Sequence, residues 1–492
     1  MTLKTNFRRV PSATLAGLLL ATGLTACSST PPRAPAPPAS LVTIDGDTSE
    51  WPSGANMAAD ASNLYFGFSV PGTPFTLQAA DESVVLSLDT DASTGTGLTS
   101  DLKAFDQLGL DVEIVFSPRK PDGSAGNGVA LARVDSAGNR TAIGHGEADF
   151  SFAPTFANPS YEGRFSRFIA QAPELARAGL VRGIFSIRDA QGQIVGYSDP
   201  FEVRLPAAKR APLADVVIPQ KPLNSVRLVS WNILRGKPVD EPAVFARMLQ
   251  ALRPDVVLLQ EWNRGTEADL KSWFSVHVDP SAEWNVRMLE QPADKPGLTG
   301  GVAIVSRLPL SPAGATPTVA GDTVRSIAAK VRSPLGEIAV ASIHLKCCGS
   351  ASGTEEARRI AEAAAVHASI AGLRANMIAI GGDYNLVGGR APLDTLAQGL
   401  DAGGNLEPAP AMLLGDRLMT TWRDDPSPFS AGRLDYVLTS PSTLGVPQTF
   451  VVDTRRLSDG ALAMMGLDRT DSAASDHMPL VVDLAAPAPA KK

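Results

Sequence analysis

Three cysteines in 492 residues are too few for a disulfide scaffold. Positive charge is also short. The 44 Lys and Arg stand against 51 Asp and Glu, a formal net charge of −7, and a protein that holds nucleic acid through a general basic surface looks different. After the first thirty positions there is no apolar run of about 18–20 residues, which argues against a polytopic membrane protein. What remains is ordinary in bulk. Hydrophobic residues are 44% and charged residues 19% of the chain, close to the globular average, so wholesale disorder is excluded. At roughly 100–200 residues per domain, the length predicts two or three domains.

Residues 1–26 read as a secretory signal. Lys4, Arg8 and Arg9 make a positive start, an apolar stretch runs from Leu15 to Leu24, and small residues precede Cys27. The tetrad Leu24-Thr25-Ala26-Cys27 resembles the lipobox of bacterial lipoproteins. That resemblance implies cleavage before Cys27 and lipidation of it; the alternative is a plain signal with an incidental cysteine. Residues 27–40 then form a Pro/Ala/Ser tether, too extended to build a core. An acylated cysteine on a stiff spacer predicts a protein held at a membrane of the cell envelope, periplasmic or on the outer surface. Taking Lys4, Arg8 and Arg9 from the 44 positive charges leaves 41 against 51 negative ones.

Residues 41–204 have a β texture. LVTIDGD, NLYFGFSV, SVVLSLDTD, LDVEIVF, GVALARVD, GIFSIRDA and PFEVRL are short alternating runs between turns, the pattern of an all-β sandwich. Ile44-Asp45-Gly46-Asp47 with Trp51, and Leu88-Asp89-Thr90-Asp91 with Gly95 and Gly97, resemble carbohydrate-binding family 9 and related modules. The resemblance implies an accessory domain with a glycan contact. Trp51 either stacks on a sugar or fills a core. Asp89 and Asp91 either share one Ca²⁺ or cap a solvated turn. Residues 205–224 hold four prolines and read as a linker with one extended piece.

From Ser225 to Leu484 strands alternate with helices. VRLVSWNI, DVVLLQ, GVAIVS, TVRSIAAKV, EIAVASIHL, MIAIGGD, LDYVLTS and MPLVVDL read as strands; PAVFARMLQAL and TEEARRIAEAAAVHASIAGLRA have helical spacing. Ser352-Gly353-Thr354-Glu355 predicts a capping box for the second helix. The pattern implies a layered α/β body, with residues 485–492 a disordered tail.

Polar residues that a core would not choose stand at the ends of these apolar strands: Asn232, Glu261, His344, Asp383, Asn385, Asp435 and the pair Asp476-His477. Burying so many carboxylates without a cation or basic partner costs several kcal/mol each. A divalent metal with an anionic substrate removes the objection. The motifs Ser230-Trp231-Asn232, Gln260-Glu261, Ser342-Ile343-His344, Gly382-Asp383-Tyr384-Asn385, Arg433-Leu434-Asp435-Tyr436 and Ser475-Asp476-His477 together resemble the endonuclease/exonuclease/phosphatase superfamily.

That resemblance implies a four-layer α/β/β/α sandwich hydrolysing phosphoesters with Mg²⁺ or Mn²⁺. Glu261 is the expected metal ligand, with Asn232 holding it or the hydrated ion and Asp476 supporting metal or histidine. His477 is the expected general base, oriented by Asp435. Asp383 and Asn385 face the scissile phosphate, and His344 donates to it or protonates the leaving oxygen. Arg325 resembles a recurrent strand arginine near the site and Trp422 falls where relatives place an aromatic substrate contact, which would make both substrate-binding residues; the alternatives are an exposed strand charge for Arg325 and core packing for Trp422. The second acidic ligand that many relatives carry just after the first Asn is missing, since Ile233, Leu234 and Arg235 stand there. No partner for His344 is identifiable. Cys347 and Cys348 form a vicinal disulfide, or remain thiols, or act as weak soft-metal ligands.

The region 225–484 carries 24 Lys/Arg against 29 Asp/Glu. A lipid headgroup, nucleotide or sugar phosphate suits that balance better than a long duplex. Two alternatives remain open: an extracytoplasmic nuclease, and a glycan-binding surface lipoprotein without activity.

Overall fold

The structure is a computed structural model and describes residues 5, 7–10, 42–51, 56–70, 74–100, 102–290 and 301–488. Cys27, the apolar stretch before it and the Pro-rich tether lie outside the described residues, as does most of the tail. Among the described residues no helix is long and apolar enough to cross a membrane. The chain divides into two compact units. The first is drawn from Met1–Phe152, Asn158–Ala211 and Asp425–Ser430, the second from Ala153–Ala157, Pro212–Asp424 and Ala431–Lys492.

The first unit is a β-sandwich. One sheet orders Met57–Ala59, Asn63–Ser69, Ser160–Ser166 and Ser151–Ala153. The larger sheet is centred on Leu180–Arg188, Ser83–Asp89 and Val112–Phe116, all antiparallel. Alternate residues of both sheets, among them Leu64, Phe66, Phe68, Leu86, Leu88, Ile114 and Phe185, meet in one core. Arg8–Arg9, in the segment read as a signal, pairs antiparallel with Tyr197 and Gly196.

LVTIDGD is not a strand. Asp45 and Gly46 turn their N–H groups onto the buried carboxylate of Glu162, both at 2.8 Å. The Trp51 indole donates to the same carboxylate at 2.9 Å and is buried. Trp51 is therefore core, and no sugar can stack on it.

The second unit places two six-stranded sheets face to face. The first orders Asn285–Met288, Val302–Ser306, Val256–Gln260, Val226–Asn232, Leu480–Ala485 and Gly445–Val451. The second orders Leu310–Pro312, Ser326–Ser333, Gly336–His344, Met377–Asp383, Asp435–Thr439 and Glu407–Pro408. Strand residues alternate between the sheets and the helices. Val229, Trp231, Val257 and Leu259 pack on the helices Pro242–Leu252 and Glu267–His277, while Ala341, Ile343, Ile378 and Ile380 pack on Thr354–Ala371. This is the expected α/β/β/α layering. Glycine sets the close approach behind the site, because a Cβ on Gly382 would fall 1.9 Å from Ile343 O.

Several local expectations need correction. Helix Thr354–Ala371 begins at Gly353, and no side chain caps it; Ser352 stands one residue too early. The capping box forms instead at Thr266 and Asp269, on a helix the spacing did not announce. Residues 205–224 are extended but docked. Lys209 donates its N–H to Ala61 O within the first unit. Within the second, Ala214 bonds with Arg456 and Ser458, and Ala214, Val216 and Ile218 pack on the core. Thr155, expected in the accessory domain, belongs to the second unit, where its hydroxyl donates to Leu386 O and Arg433 O.

Candidate active site

The site is built where strand ends align. Asn232 pairs with Gln260 across a parallel ladder, so the next residue, Glu261, stands beside it. His344 pairs with Asp383, and Asp383 with Asp435. The two sheets thus deliver their polar ends to one place. Asn232 spans them: its amide nitrogen lies 3.3 Å from Glu261 Oε1 and 3.2 Å from Asp383 Oδ2.

Glu261 is half-buried and sits in the left-handed region, φ +64°, a backbone state that non-glycine residues hold only under constraint. Arg235 N–H fixes its Oε2 at 2.8 Å. The Asn232 oxygen accepts from Leu234 N–H at 3.2 Å, so Asn232 orients Glu261 through its amide N–H₂. Asp476 accepts from the Trp422 indole N–H at 3.0 Å. Trp422 is half-buried, and through this bond it braces Asp476. Ser475, next in the chain, donates to Asn232 O at 2.7 Å.

Around Asp383 the groups are close and buried. His477 Nδ1 is 2.8 Å from Asp435 Oδ2, and its Nε2 is 3.7 Å from Asp383 Oδ2. His344 Nε2 is 3.4 Å from the same oxygen. Asn385 donates its backbone N–H to Asp383 Oδ1 at 2.9 Å and its side-chain amide to Leu345 O at 3.2 Å.

Burial opposes charge on His477, but Asp435 and Asp383 outweigh it and raise the imidazole to about 10. Burial pushes Asp383 up from the carboxylate range, with His477 partly opposing and Asp435 adding to the rise. Burial and the nearby cations Arg325 and His477 hold His344 well below its ordinary value. His477 thus carries its proton at neutral pH, against the expectation of a free imidazole base, because two carboxylates flank it.

The partner of His344 that sequence reading missed is Arg325, whose Nη1 lies 3.2 Å from Nδ1. Arg325 was expected to contact substrate; here it grips the histidine and Leu345 O, the latter at 2.6 Å. Cys347 and Cys348 are free cysteines whose sulfurs lie 2.7 Å apart. The remaining histidines are structural. His145 is bonded to Val129 O, His277 packs on Trp273, and His367 bonds Gln398 O from the helix face.

The donor set at Glu261, a hard carboxylate with an amide and open solvent beside it, suits a hydrated Mg²⁺, which takes one or two carboxylates and keeps several waters. A second acidic group lies in the first unit. Asp89, Asp91 and Asp111 bring ligand oxygens within 4.8 Å of one another. Asp111 was not singled out from the sequence; it stands 22 and 20 residues from Asp89 and Asp91, and Arg133 already pairs it at 2.8 Å.

Comparison with curated proteins gives no match. Solved structures that align with the chain include the human Nocturnin catalytic domain (19% identity, 54% of this chain and 96% of that one, TM-score 0.39). Beta toxin from Staphylococcus aureus aligns at 16% identity over 52% of this chain and 99% of its own, TM-score 0.34. The 3′ phosphatase NExo from Neisseria aligns at 18% identity over 52% and 98%, TM-score 0.35. The description "Endonuclease/Exonuclease/phosphatase family" matches residues 229–477, an interval that opens in the strand leading to Asn232 and closes on His477; the chain belongs to this family.

Proposed function

We propose that the protein is a divalent-metal-dependent phosphoester hydrolase of the cell envelope, anchored by a lipid on Cys27. One observation carries the reading: six separate strand ends converge on one buried carboxylate, that of Asp383, with Asn232, His344 and His477 within 3.7 Å of its Oδ2 and Glu261 and Asp435 bonded in turn to Asn232 and His477.

Glu261, with Asn232 and Asp476 in support, would hold a hydrated Mg²⁺ or Mn²⁺. When bound, that ion neutralises charge on the phosphoryl oxygens. The chain's own groups do the rest. Asp383, a site carboxylate that burial makes more basic, takes the proton of the attacking water. His477, held by Asp435 at Nδ1, presents Nε2–H as a charged donor to the developing negative charge. His344 and Asn385 supply neutral donors from the opposite side. The acidic balance of the region favours small phosphodiesters or phosphomonoesters over long duplexes.

The purified mature protein is expected to hydrolyse bis-p-nitrophenyl phosphate with Mg²⁺ and to stop on EDTA. Turnover that survives EDTA, or no turnover on any di- or monoester of a broad panel, rejects the reading. Efficient plasmid nicking would replace the small-substrate preference with a nuclease. His477→Ala should lower turnover by at least ~10². Cys27→Ala should release the protein from membranes, and continued retention would place the anchor elsewhere.

A further inference from the structure

The two site histidines are held by partners of opposite kind. Asp435 is an acceptor at His477 Nδ1, at 2.8 Å. At His344 the neighbour of Nδ1 is the Arg325 guanidinium, 3.2 Å away. A guanidinium has donors and no acceptor. His344 Nδ1 must therefore accept, and the neutral ring carries its one proton on Nε2, the nitrogen 3.4 Å from Asp383 Oδ2.

The clamp has three points. Arg325 Nη1 holds the ring. Arg325 Nη2 donates to Leu345 O at 2.6 Å, the carbonyl that also accepts from Asn385 at 3.2 Å. The backbone N–H of His344 returns a bond to Arg325 O at 2.8 Å. Ring, following residue and Asn385 thus share one anchor.

We propose that Arg325 is a positioning residue that locks His344 as its Nε2–H tautomer, making this histidine a fixed hydrogen-bond donor toward Asp383 and the phosphoryl group. Asp383 then lies between two imidazoles that each present an N–H. That of His477 is charged and backed by a carboxylate; that of His344 is neutral and backed by a cation. In this arrangement His344 is a poor acid for the leaving oxygen, because protonating Nδ1 would place that proton against a guanidinium. The identity of the phosphoryl group rests on the function proposed above. The tautomer does not.

The test is long-range ¹H–¹⁵N correlation on the full chain labelled in histidine, with the His344 signals assigned by their loss in His344→Asn. The expected pattern is a protonated Nε2 and a bare Nδ1. Arg325→Met should shift His344 toward the Nδ1–H form. It should also lower kcat by about ten- to a hundredfold, the scale of losing a group that orients another, with KM nearly unchanged. Arg325→Lys, which keeps a donor, should retain more of the native pattern. A protonated Nδ1 in the unaltered protein overturns the proposal. So does an unchanged tautomer in Arg325→Met, above all with a raised KM, which would make Arg325 a substrate contact. If Arg325→Met fails to fold, the unaltered protein and Arg325→Lys decide by the same signals. A shifted tautomer in a protein without phosphoesterase activity would reject the function and leave this assignment standing.

Discussion

Both units bury charge, and they treat it differently. In the first unit the fully buried Glu113 carboxylate is matched by two arginines, Arg140 at 2.7 Å and Arg188 at 2.5 Å. Buried Arg167 spends its guanidinium on the carbonyls of Leu175, Asp60, Pro206 and Ala178. These charges are paired off and serve the architecture. In the second unit Asp383 and Asp435 are equally buried. Asp383 accepts from the neutral amides of Asn385 and Asn232 but meets imidazoles only at 3.4 and 3.7 Å, and Asp435, bonded to His477 through Oδ2, leaves its Oδ1 without a hydrogen-bond partner among the described residues. A buried carboxylate without a close cation on every oxygen is costly to the fold. Its persistence at converging strand ends marks where the molecule gives up stability for chemistry.

The largest effect that would break this contrast is on stability. Glu113→Gln should destabilise the first unit by about 3 kcal/mol, the low end for breaking a buried pair, because both arginines keep some access to water. Hydrogen exchange in strands Ser83–Asp89 and Val112–Phe116 would report it. Burial opposes ionisation of Glu113, but Arg188 and Arg140 prevail and lower its pKa. Its contribution is therefore present above the ordinary carboxylate range and lost as pH falls through the lowered value. An unchanged exchange rate would show that pairing is not what holds this sheet.

Asp383→Asn tests the other side. Turnover should fall by at least ~10², about 2.7 kcal/mol of barrier, while the unfolding midpoint holds or rises. The sign follows from linkage. Burial raises the folded pKa of Asp383, so its stabilising contribution is complete below its unfolded pKa and is lost as pH climbs through the raised one. At neutral pH the native carboxylate is a net cost, which Asn removes. The same shifts set the pH profile. Activity should rise through an acid limb displaced above the ordinary carboxylate range and fall as His477 deprotonates near pH 10. A profile flat from pH 4 to 7, or an Asn variant that is both active and destabilised, would place Asp383 with the architectural charges.

What was legible in the sequence follows the same division. Polar residues at Asn232, Glu261, His344, Asp383, Asp435 and His477 interrupt apolar runs, and that interruption is local, so they can be read without coordinates. The Arg325–His344 pair cannot. Its members are 19 residues apart and meet only because the strands Ser326–Ser333 and Gly336–His344 pair in one register. Charge at His477 is equally hidden, since it depends on carboxylates 42 and 94 positions away meeting one ring. Trp51 was open between core and surface, because an indole N–H needs a partner in either place, and Glu162 stands 111 residues off. The segments 153–157 and 425–430 look like loops of their own halves of the chain, and nothing in their composition assigns them to the other unit.

The smallest effect sharpens the comparison most, because it separates pairing from address. Behind the site, between the sheets of the second unit, Gln260 donates to Ser342 Oγ at 3.0 Å, and Ser342 donates to Leu259 O at 2.8 Å. Both residues belong to the motifs read from the sequence, and both are buried. Yet neither hydrogen-bonds Asp383, and Ser342 Oγ both accepts and donates, while Gln260 Oε1 is left without a partner among the described residues. If pairing decides role, Ser342 is an architectural residue inside the second unit. Ser342→Ala should then cost about 1 kcal/mol, the scale of one buried hydrogen bond, and leave kcat and KM within about twofold, a change of less than half a kcal/mol in barrier. A drop in kcat near that of Asp383→Asn would show that the cross-sheet bond transmits directly to the strand ends, and that nearness to the site outweighs satisfaction in deciding what a buried polar group does.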